Sequence, residues 1–148
     1  MHYTIDTRER RIYSRALDLF NNAYMRGQIK HFIAKLRKRS RHLHFLNEMM
    51  LEDRSEMQLP TKPIRMEQII GTVGRLDRFD KDFLPLQRRL RTRWVGIAQA
   101  TLDNDVYLPP IQVVQAQDAY YVIDGHHRVS VARALDKLYI DANVTIWR

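Results

Sequence analysis

The pattern that most constrains the fold lies near the carboxyl end, where a glycine separates a strand pattern from a helix pattern. Residues 119–123, Ala-Tyr-Tyr-Val-Ile, are mostly β-branched or aromatic, and Asp124 and Gly125 follow them directly. From Val129 to Leu135 the apolar residues recur at helical spacing. A strand that leads through a glycine into a helix predicts a helix whose first turn presents free backbone N–H groups.

The neighbouring segments complete a pattern of short strands and helices. Further strand patterns occupy residues 64–70, 111–115 and 139–147. Residues 111–115 are separated from 119–123 by a short spacer that is typical of a hairpin, and residues 86–102 alternate basic and apolar residues at helical spacing. Residues 60–148 are therefore expected to form an α+β unit, a small mixed sheet with helices.

The first third of the chain predicts a pair of amphipathic helices. Thr7 can cap the first helix, and Gly27 marks a break before a second apolar face begins at Ile29. We therefore expect a helical hairpin within a basic helical extension, residues 1–55, that precedes the α+β unit. Residues 52–63 lose the periodic pattern and contain two prolines, so they predict the connector between the two units.

The positive charge is concentrated in the same N-terminal part. Of the net charge of +8, residues 1–50 carry +7, from eleven Lys and Arg against four Asp and Glu. The densest run contains Lys35, Arg37, Lys38, Arg39 and Arg41. Such a run predicts contact with the phosphate backbone of DNA, and without interleaved aromatic residues it would not read the base sequence. A solvated helix face is the alternative.

The composition excludes several classes of chemistry. The chain has no cysteine, so it has no disulfide bonds, no thiolate metal site and no cysteine nucleophile. It also lacks a long apolar stretch and the apolar centre of a secretory signal. We therefore expect a cytoplasmic protein without a membrane partner.

The turn Asp124-Gly125-His126-His127-Arg128 predicts a phosphate-binding site. The free N–H groups and the positive dipole end of a helix stabilise an anion, and Gly125 lets the anion approach closely. Arg128 can bind two oxygen atoms at once, while His126 and His127 can donate hydrogen bonds or transfer protons near neutral pH.

Other roles for these residues remain open. Asp124 can cap the helix, or it can hold Mg²⁺ together with the phosphates of a nucleotide. Adjacent residues on a helix point about 100° apart, so a zinc ion held jointly by His126 and His127 is disfavoured.

The chain resembles the ParB/sulfiredoxin superfamily, specifically its ParB-like nuclease-type domains. The similar segments begin at Leu108-Pro-Pro-Ile-Gln-Val-Val, continue through Tyr121-Val-Ile-Asp-Gly-His-His-Arg, and end at Ile140-Asp-Ala-Asn-Val. The resemblance spans about residues 60–147. It implies that Gly125 to Arg128 bind the phosphates of ATP, ADP or CTP, and that the segment containing Gly74 and Arg75 lies over the same pocket.

The departures from the family narrow what this resemblance implies. Sulfiredoxins carry a cysteine in this turn, and its absence here excludes their sulfinic-acid reduction. The partitioning proteins have a Gly-Glu-Arg-Arg type of turn followed by a helix-turn-helix, which does not occur between the last strand and Arg148. The Asp-Gly-His-His-Arg turn is most similar to that of the free-serine kinases, although their catalytic glutamate has no match here.

Two functions of different class follow. The first is a phosphotransferase or nucleotide hydrolase, with Asp124 and His126 as acid–base candidates and Mg²⁺ bridging the phosphates. The alternative is a non-enzymatic, nucleotide-responsive DNA-binding module. Nuclease activity ranks last, because no carboxylate cluster suits a two-metal cleavage site. The apolar faces of the N-terminal helices also predict a homodimer.

Overall fold

The computed structural model of the protein describes residues 6–47 and 55–147. The helices in these ranges are α1 (Thr7–Leu36), α2 (Arg91–Leu102) and α3 (His126–Ala134). The strands, in chain order, are β1 (His44–Leu46), β2 (Glu56–Gln58), β3 (Lys62–Arg65), β4 (Ile69–Val73), β5 (Ile111–Ala116), β6 (Ala119–Asp124) and β7 (Tyr139–Trp147). Short 3-10 turns precede β4 and α2, at Met66–Gln68 and Arg88–Leu90.

The strands of the described ranges form one mixed sheet. The order is β1-β4-β6-β5-β7, and the outer edge of β7 pairs with both β2 and β3. β1, β4 and β6 are mutually parallel, as are β5 and β7, whereas β5 is antiparallel to β6. β2 and β3 run antiparallel to β7. The predicted α+β class with a small mixed sheet is therefore confirmed.

The predicted hairpin and the last strand are also confirmed. β5 and β6 pair antiparallel around a turn at Gln117, whose φ of 57° lies in the left-handed region. Val113 and Val122 face each other in this ladder and are fully buried. β7 occupies the segment that the sequence predicts. Alternating β-branched residues suit a pleated strand with one buried face, which explains why these strands were visible in the sequence.

The predicted strand 64–70 is interrupted, because a 3-10 turn separates β3 from β4. The guanidinium of Arg133 donates from Nη2 to the carbonyl oxygens of Met66 (3.2 Å) and Ile69 (2.7 Å). The side chain thus satisfies carbonyl groups that a continuous strand would pair with a neighbour. The expected connector, residues 52–63, begins outside the described residues, and its remainder contributes β2 and the start of β3.

The predicted N-terminal hairpin is wrong, because residues 7–36 form one continuous helix, α1. Gly27 lies buried inside this helix. A Cβ atom at Gly27 would lie 3.3 Å from the carbonyl oxygen of Pro85 and 3.4 Å from Cβ of Leu84. The glycine therefore permits close contact with the loop before α2, and tertiary packing outweighs its low helix propensity.

α1 is a charged, amphipathic helix that starts after Asp6. The Asp6 side chain accepts a hydrogen bond from the backbone N–H of Arg8 at 3.2 Å, so Asp6, and not the predicted Thr7, caps the helix. The helix is 30 residues long. Neither α1 nor any other helix in the described ranges has an apolar stretch long enough to cross a bilayer.

α3 is held between the sheet and the other helices. On one side α1 and α2 share a hydrophobic cluster with it, in which the rings of Phe20 and Trp94 meet edge-on with centroids 5.6 Å apart. Trp94 Nε1 also donates to Oγ of Ser130 on α3 at 2.8 Å. On the other side the buried residues include Ile69, Ile111, Val113, Val122 and Val129. Packing on both sides fixes the position of the first turn of α3.

Candidate functional site

The junction between β6 and α3 requires a glycine. Gly125 has a φ of 107°, in the left-handed region, and a Cβ atom there would lie 2.5 Å from Cγ2 of Ile111 on β5. The hydrogen bond from the N–H of Val129 to the carbonyl of Gly125, 3.0 Å long, closes the first turn of α3. The three N–H groups before Val129 therefore have no acceptor within the helix and face its open end.

Arg128 is anchored by other groups of the chain. Its Nη1 donates to the carbonyl oxygens of Pro109 and Pro110, the latter at 3.0 Å, and its Nη2 donates to Oδ2 of Asp124 at 3.1 Å. The alternative role of Asp124 as a helix cap is wrong, because no side chain caps α3 and this carboxylate faces Arg128. Arg128 therefore ties the loop before β5 to the start of α3. Its Nε–H forms no hydrogen bond among the described residues.

His126 contacts the neighbouring strand. Its Nε2 lies 2.8 Å from Oγ1 of Thr72, and that hydroxyl lies 3.2 Å from the carbonyl oxygen of Val122. When the hydroxyl donates to this carbonyl, it accepts from Nε2–H, so Nδ1 is the basic nitrogen. Burial and the charge of Arg78 lower the pKa of His126 to about 4, although Asp124 acts to raise it. His126 is neutral at pH 7.

His127 is buried more deeply. Its ring meets Phe79 edge-on with centroids 5.1 Å apart, and Nε2 has no hydrogen-bond partner among the described residues. Burial is the largest cause that lowers the pKa of His127; together with the charges of Arg93 and Arg78 and a smaller contribution from His126, it lowers this pKa to about 4. A buried nitrogen without a partner costs stability.

A cavity of about 380 Å³ opens at the first turn of α3. Its walls come from β4 and the loop that follows, from α2, and from the β6–α3 junction. The charged residues of this lining are Arg75, Arg78, Arg93, Asp124 and Arg128. Because both histidines are neutral, four arginines face one aspartate, which gives a net charge of +3 (4 − 1). The cavity is therefore suited to an anion.

Two of these arginines were not identified from the sequence. Arg78 and Arg93 are exposed and form no ion pair within the described part of the chain. Arg78 lies in the loop after β4, and Arg93 lies in the first turn of α2. Neither belongs to a local motif, so the basic pattern of residues 86–102 was the only indication of Arg93.

The predicted positions Gly74 and Arg75 lie at the edge of this cavity. Gly74 has a φ of 76°, and a Cβ atom there would have no atom within 4 Å. Arg75 lines the cavity, and its guanidinium carbon lies 5.5 Å from the ring centroid of Phe45 on β1. Of the two, Arg75 is the residue that can reach a ligand.

Metal ligands are sparse near the cavity. No group of three or more His, Cys, Asp or Glu side chains that could hold a metal occurs in the described ranges. Asp124 is the one acidic residue among the described residues of the lining, and its carboxylate is paired with Arg128. A magnesium ion would therefore depend mainly on the phosphates of its ligand, which is a common way of binding this ion.

The basic run predicted to contact DNA lies away from this cavity. Its exposed members are Lys35, Arg37, Lys38 and Arg39. Arg41 is mostly buried, because it forms ion pairs with Asp80 at 2.9 Å and with Asp82. Arg41 therefore stabilises the loop before α2.

No protein-family model matches the chain, and no curated protein matches it. Among solved structures, the chain is similar to sulfiredoxin from Arabidopsis thaliana, with 16% sequence identity and a TM-score of 0.37. The similarity covers 58% of this chain and 84% of that one. So distant a similarity carries no functional argument.

Proposed function

We propose that the protein binds a nucleotide through its phosphates in the cavity at the first turn of α3. The observation that carries the proposal is the convergence of Arg75, Arg78, Arg93 and Arg128 on one helix terminus. These residues come from three segments, namely the loop after β4, α2 and α3, and the one acidic residue described in the lining is already paired with Arg128. Multivalent anions gain most from several arginines and an open helix terminus.

The size of the cavity supports a ligand larger than a single phosphate. A volume of about 380 Å³ falls within the range of small-molecule sites, roughly 300–1,000 Å³. Arg78 and Arg93 are exposed at its wall and are unpaired within the described residues, so they can turn towards a ligand. We assign ligand contact to these two arginines, and mainly an orienting role to Arg128.

We extend the proposal to phosphoryl transfer or nucleotide hydrolysis. His126 lines the cavity and is neutral at pH 7, so its imidazole is available to accept a proton from an attacking hydroxyl or water. Its pKa of about 4 makes it a weak base without a ligand, and the negative charge of bound phosphates would raise this pKa. Asp124, with a side chain 68% exposed, can contribute to acid–base chemistry or to holding Mg²⁺ beside the phosphates.

Calorimetry and thermal unfolding with tripolyphosphate, ATP, ADP and CTP, each with and without Mg²⁺, test the binding proposal. A nucleotide at 100 times its Kd should stabilise the fold by about 2.7 kcal/mol. Arg78→Ala and Arg93→Ala should each weaken binding by about tenfold, the usual size of a lost charge-assisted contact. Arg91→Ala is the matched control, because Arg91 lies on the same helix but does not line the cavity. If none of these compounds binds, the proposal is wrong.

Turnover has its own test. The His126→Gln variant should bind nucleotide with similar affinity but lose phosphate release or transfer, by about 100-fold or more. If the variant retains the full rate, His126 is not the proton acceptor.

The alternative of a nucleotide-responsive DNA-binding module stays a prediction. Its strongest residues are the exposed cations at the end of α1 and directly after it, while Arg41 is already paired with Asp80 and Asp82. No described contact connects these cations to the cavity, so we do not advance it as the main function.

A further inference from the structure

α1 exposes an apolar stripe on its outer face. The members of this outer stripe, with their exposed fractions, are Met25 (62%), Ile29 (52%), Phe32 (62%), Ile33 (41%) and Leu36 (69%). Their spacing of four, three, one and three residues places them on one side of the helix. A contiguous apolar surface of this kind indicates an interaction site rather than scattered exposed side chains.

The outer stripe lies opposite the face that α1 buries. Phe20, Ala23, Gly27 and Ala34 face the rest of the protein. At about 100° per residue, the mean direction of this buried set is about 170° from that of the outer stripe. The second half of α1 therefore has two apolar faces, and the core accounts for only one of them.

The surroundings of the outer stripe are uniformly positive. Residues 19–47 contain seven Lys and Arg residues and no Asp or Glu. Lys30 and Arg41 form ion pairs with acidic residues of the loop before α2. The remaining cations are all exposed: Arg26, Lys35, Arg37, Lys38 and Arg39. An occupant of this surface must therefore combine an apolar surface with negative charge.

A second copy of the chain does not meet this requirement. If the α1 helices of two copies packed antiparallel and centred on the outer stripe, residue 25 of one copy would lie opposite residue 36 of the other. Asp18 of one copy would then lie opposite residue 43 of the other, beyond the end of α1. The cations of one copy would therefore face those of the other, and no acidic residue of α1 would compensate for them. A nucleic acid would pair with the cations but leave the apolar stripe in water.

We infer that α1 binds the surface of an anionic lipid bilayer through the outer stripe and its flanking cations. The stripe runs over eleven residue steps, or about 17 Å. With the helix parallel to the bilayer plane, the apolar side chains enter the boundary between headgroups and acyl chains, and the cations contact lipid phosphates. This binding needs no membrane-spanning helix, and it departs from the expectation that no membrane is a partner.

Co-sedimentation with phosphatidylcholine vesicles, with and without phosphatidylglycerol, tests this inference. Full-length protein should bind the anionic vesicles, bind neutral vesicles far less, and lose binding as salt rises. The double variant Ile29→Ser, Phe32→Ser keeps every charge, and it should partition about tenfold less or worse. Leu138→Ser is the control, because Leu138 is 76% exposed outside α1. Its partitioning should match the wild type.

Three results would overturn the inference. The first is no binding to anionic vesicles at low salt. The second is equal binding by the double variant, which would show that charge alone is responsible, as for a DNA-binding surface. The third is self-association that the double variant abolishes while vesicles do not bind, which would assign the stripe to a homodimer. None of these outcomes depends on nucleotide binding.

Discussion

The two histidines at the start of α3, one buried and one partly buried, should make the stability of the protein depend on pH between 7 and 5. Burial and nearby arginines lower the pKa of both His126 and His127 to about 4, whereas the unfolded value is about 6.5. The folded state therefore binds fewer protons than the unfolded state in this window. Their contribution is fully present above pH 6.5 and is lost as the pH falls towards 4.

The magnitude follows from the two values. At pH 5 an unfolded histidine is almost fully protonated, while one with a folded pKa of about 4 is mostly neutral. Moving from pH 7 to pH 5 therefore costs about 2 kcal/mol per histidine, and the two titrate as a coupled pair. Burial acts to raise the pKa of Asp82, but its contacts with Arg41 lower this pKa below 3.8 overall. The stability that ionised Asp82 contributes is therefore lost only at a pH more acidic than this window.

Urea unfolding at pH 7, 6 and 5 measures this effect. The wild type should lose several kcal/mol, and His126→Gln and His127→Gln should each lose about half as much over the same range. NMR titration of the imidazole Hε1 signals provides a direct check. Titration of both residues near pH 6.5, or a wild-type stability that is constant from pH 7 to 5, would refute the reasoning.

Two further substitutions test how the turn is built. Gly125→Ala should destabilise the protein by about 2–4 kcal/mol, because the alanine would have to adopt a left-handed conformation and its Cβ would clash with Ile111. Gly96→Ala, at an open position of α2, should instead stabilise the protein by about 0.5–1 kcal/mol. Urea unfolding of both variants measures the difference, and equal effects would contradict the prediction. Arg128→Lys should lower the free energy of unfolding by about 1–3 kcal/mol, because an ammonium group cannot bridge two carbonyl groups and Asp124 as the guanidinium does. An unchanged free energy of unfolding in urea would show that these hydrogen bonds contribute little.

The local parts of the fold were predictable from sequence, and the parts set by tertiary contacts were not. The β5–β6 hairpin and β7 were predictable because their alternating β-branched residues favour a strand, and this preference can be read from the segment alone. Gly27 predicts a break in the helix because a low helix propensity is a property of the residue itself, but α1 continues through it. In the structure Gly27 allows Pro85 to pack closely against α1, and this contact depends on a residue 58 positions away (85 − 27). The turn that splits β3 from β4 depends similarly on Arg133.

The candidate site divides in the same way. The turn from Gly125 to Arg128 was predicted because strand, glycine and helix follow one another in sequence. Arg78 and Arg93 were not, because a loop and a second helix bring them to the cavity. The charge asymmetry of the sequence pointed instead to the N-terminal cations, none of which line this cavity.

The β6–α3 turn and the residues proposed to contact a ligand have separate structural roles. A glycine is required at position 125 because the residue has a positive φ and a Cβ atom there would clash with Ile111. The guanidinium of Arg128 donates hydrogen bonds to the loop before β5 and to Asp124. Loss of ligand binding after mutation in this turn would therefore not separate binding from folding. Arg78 and Arg93 form no ion pair within the described residues, so removing them changes the charge of the cavity while leaving its scaffold intact. The proposed binding of phosphates is thus best tested at Arg78 and Arg93, the two arginines that the local sequence does not mark.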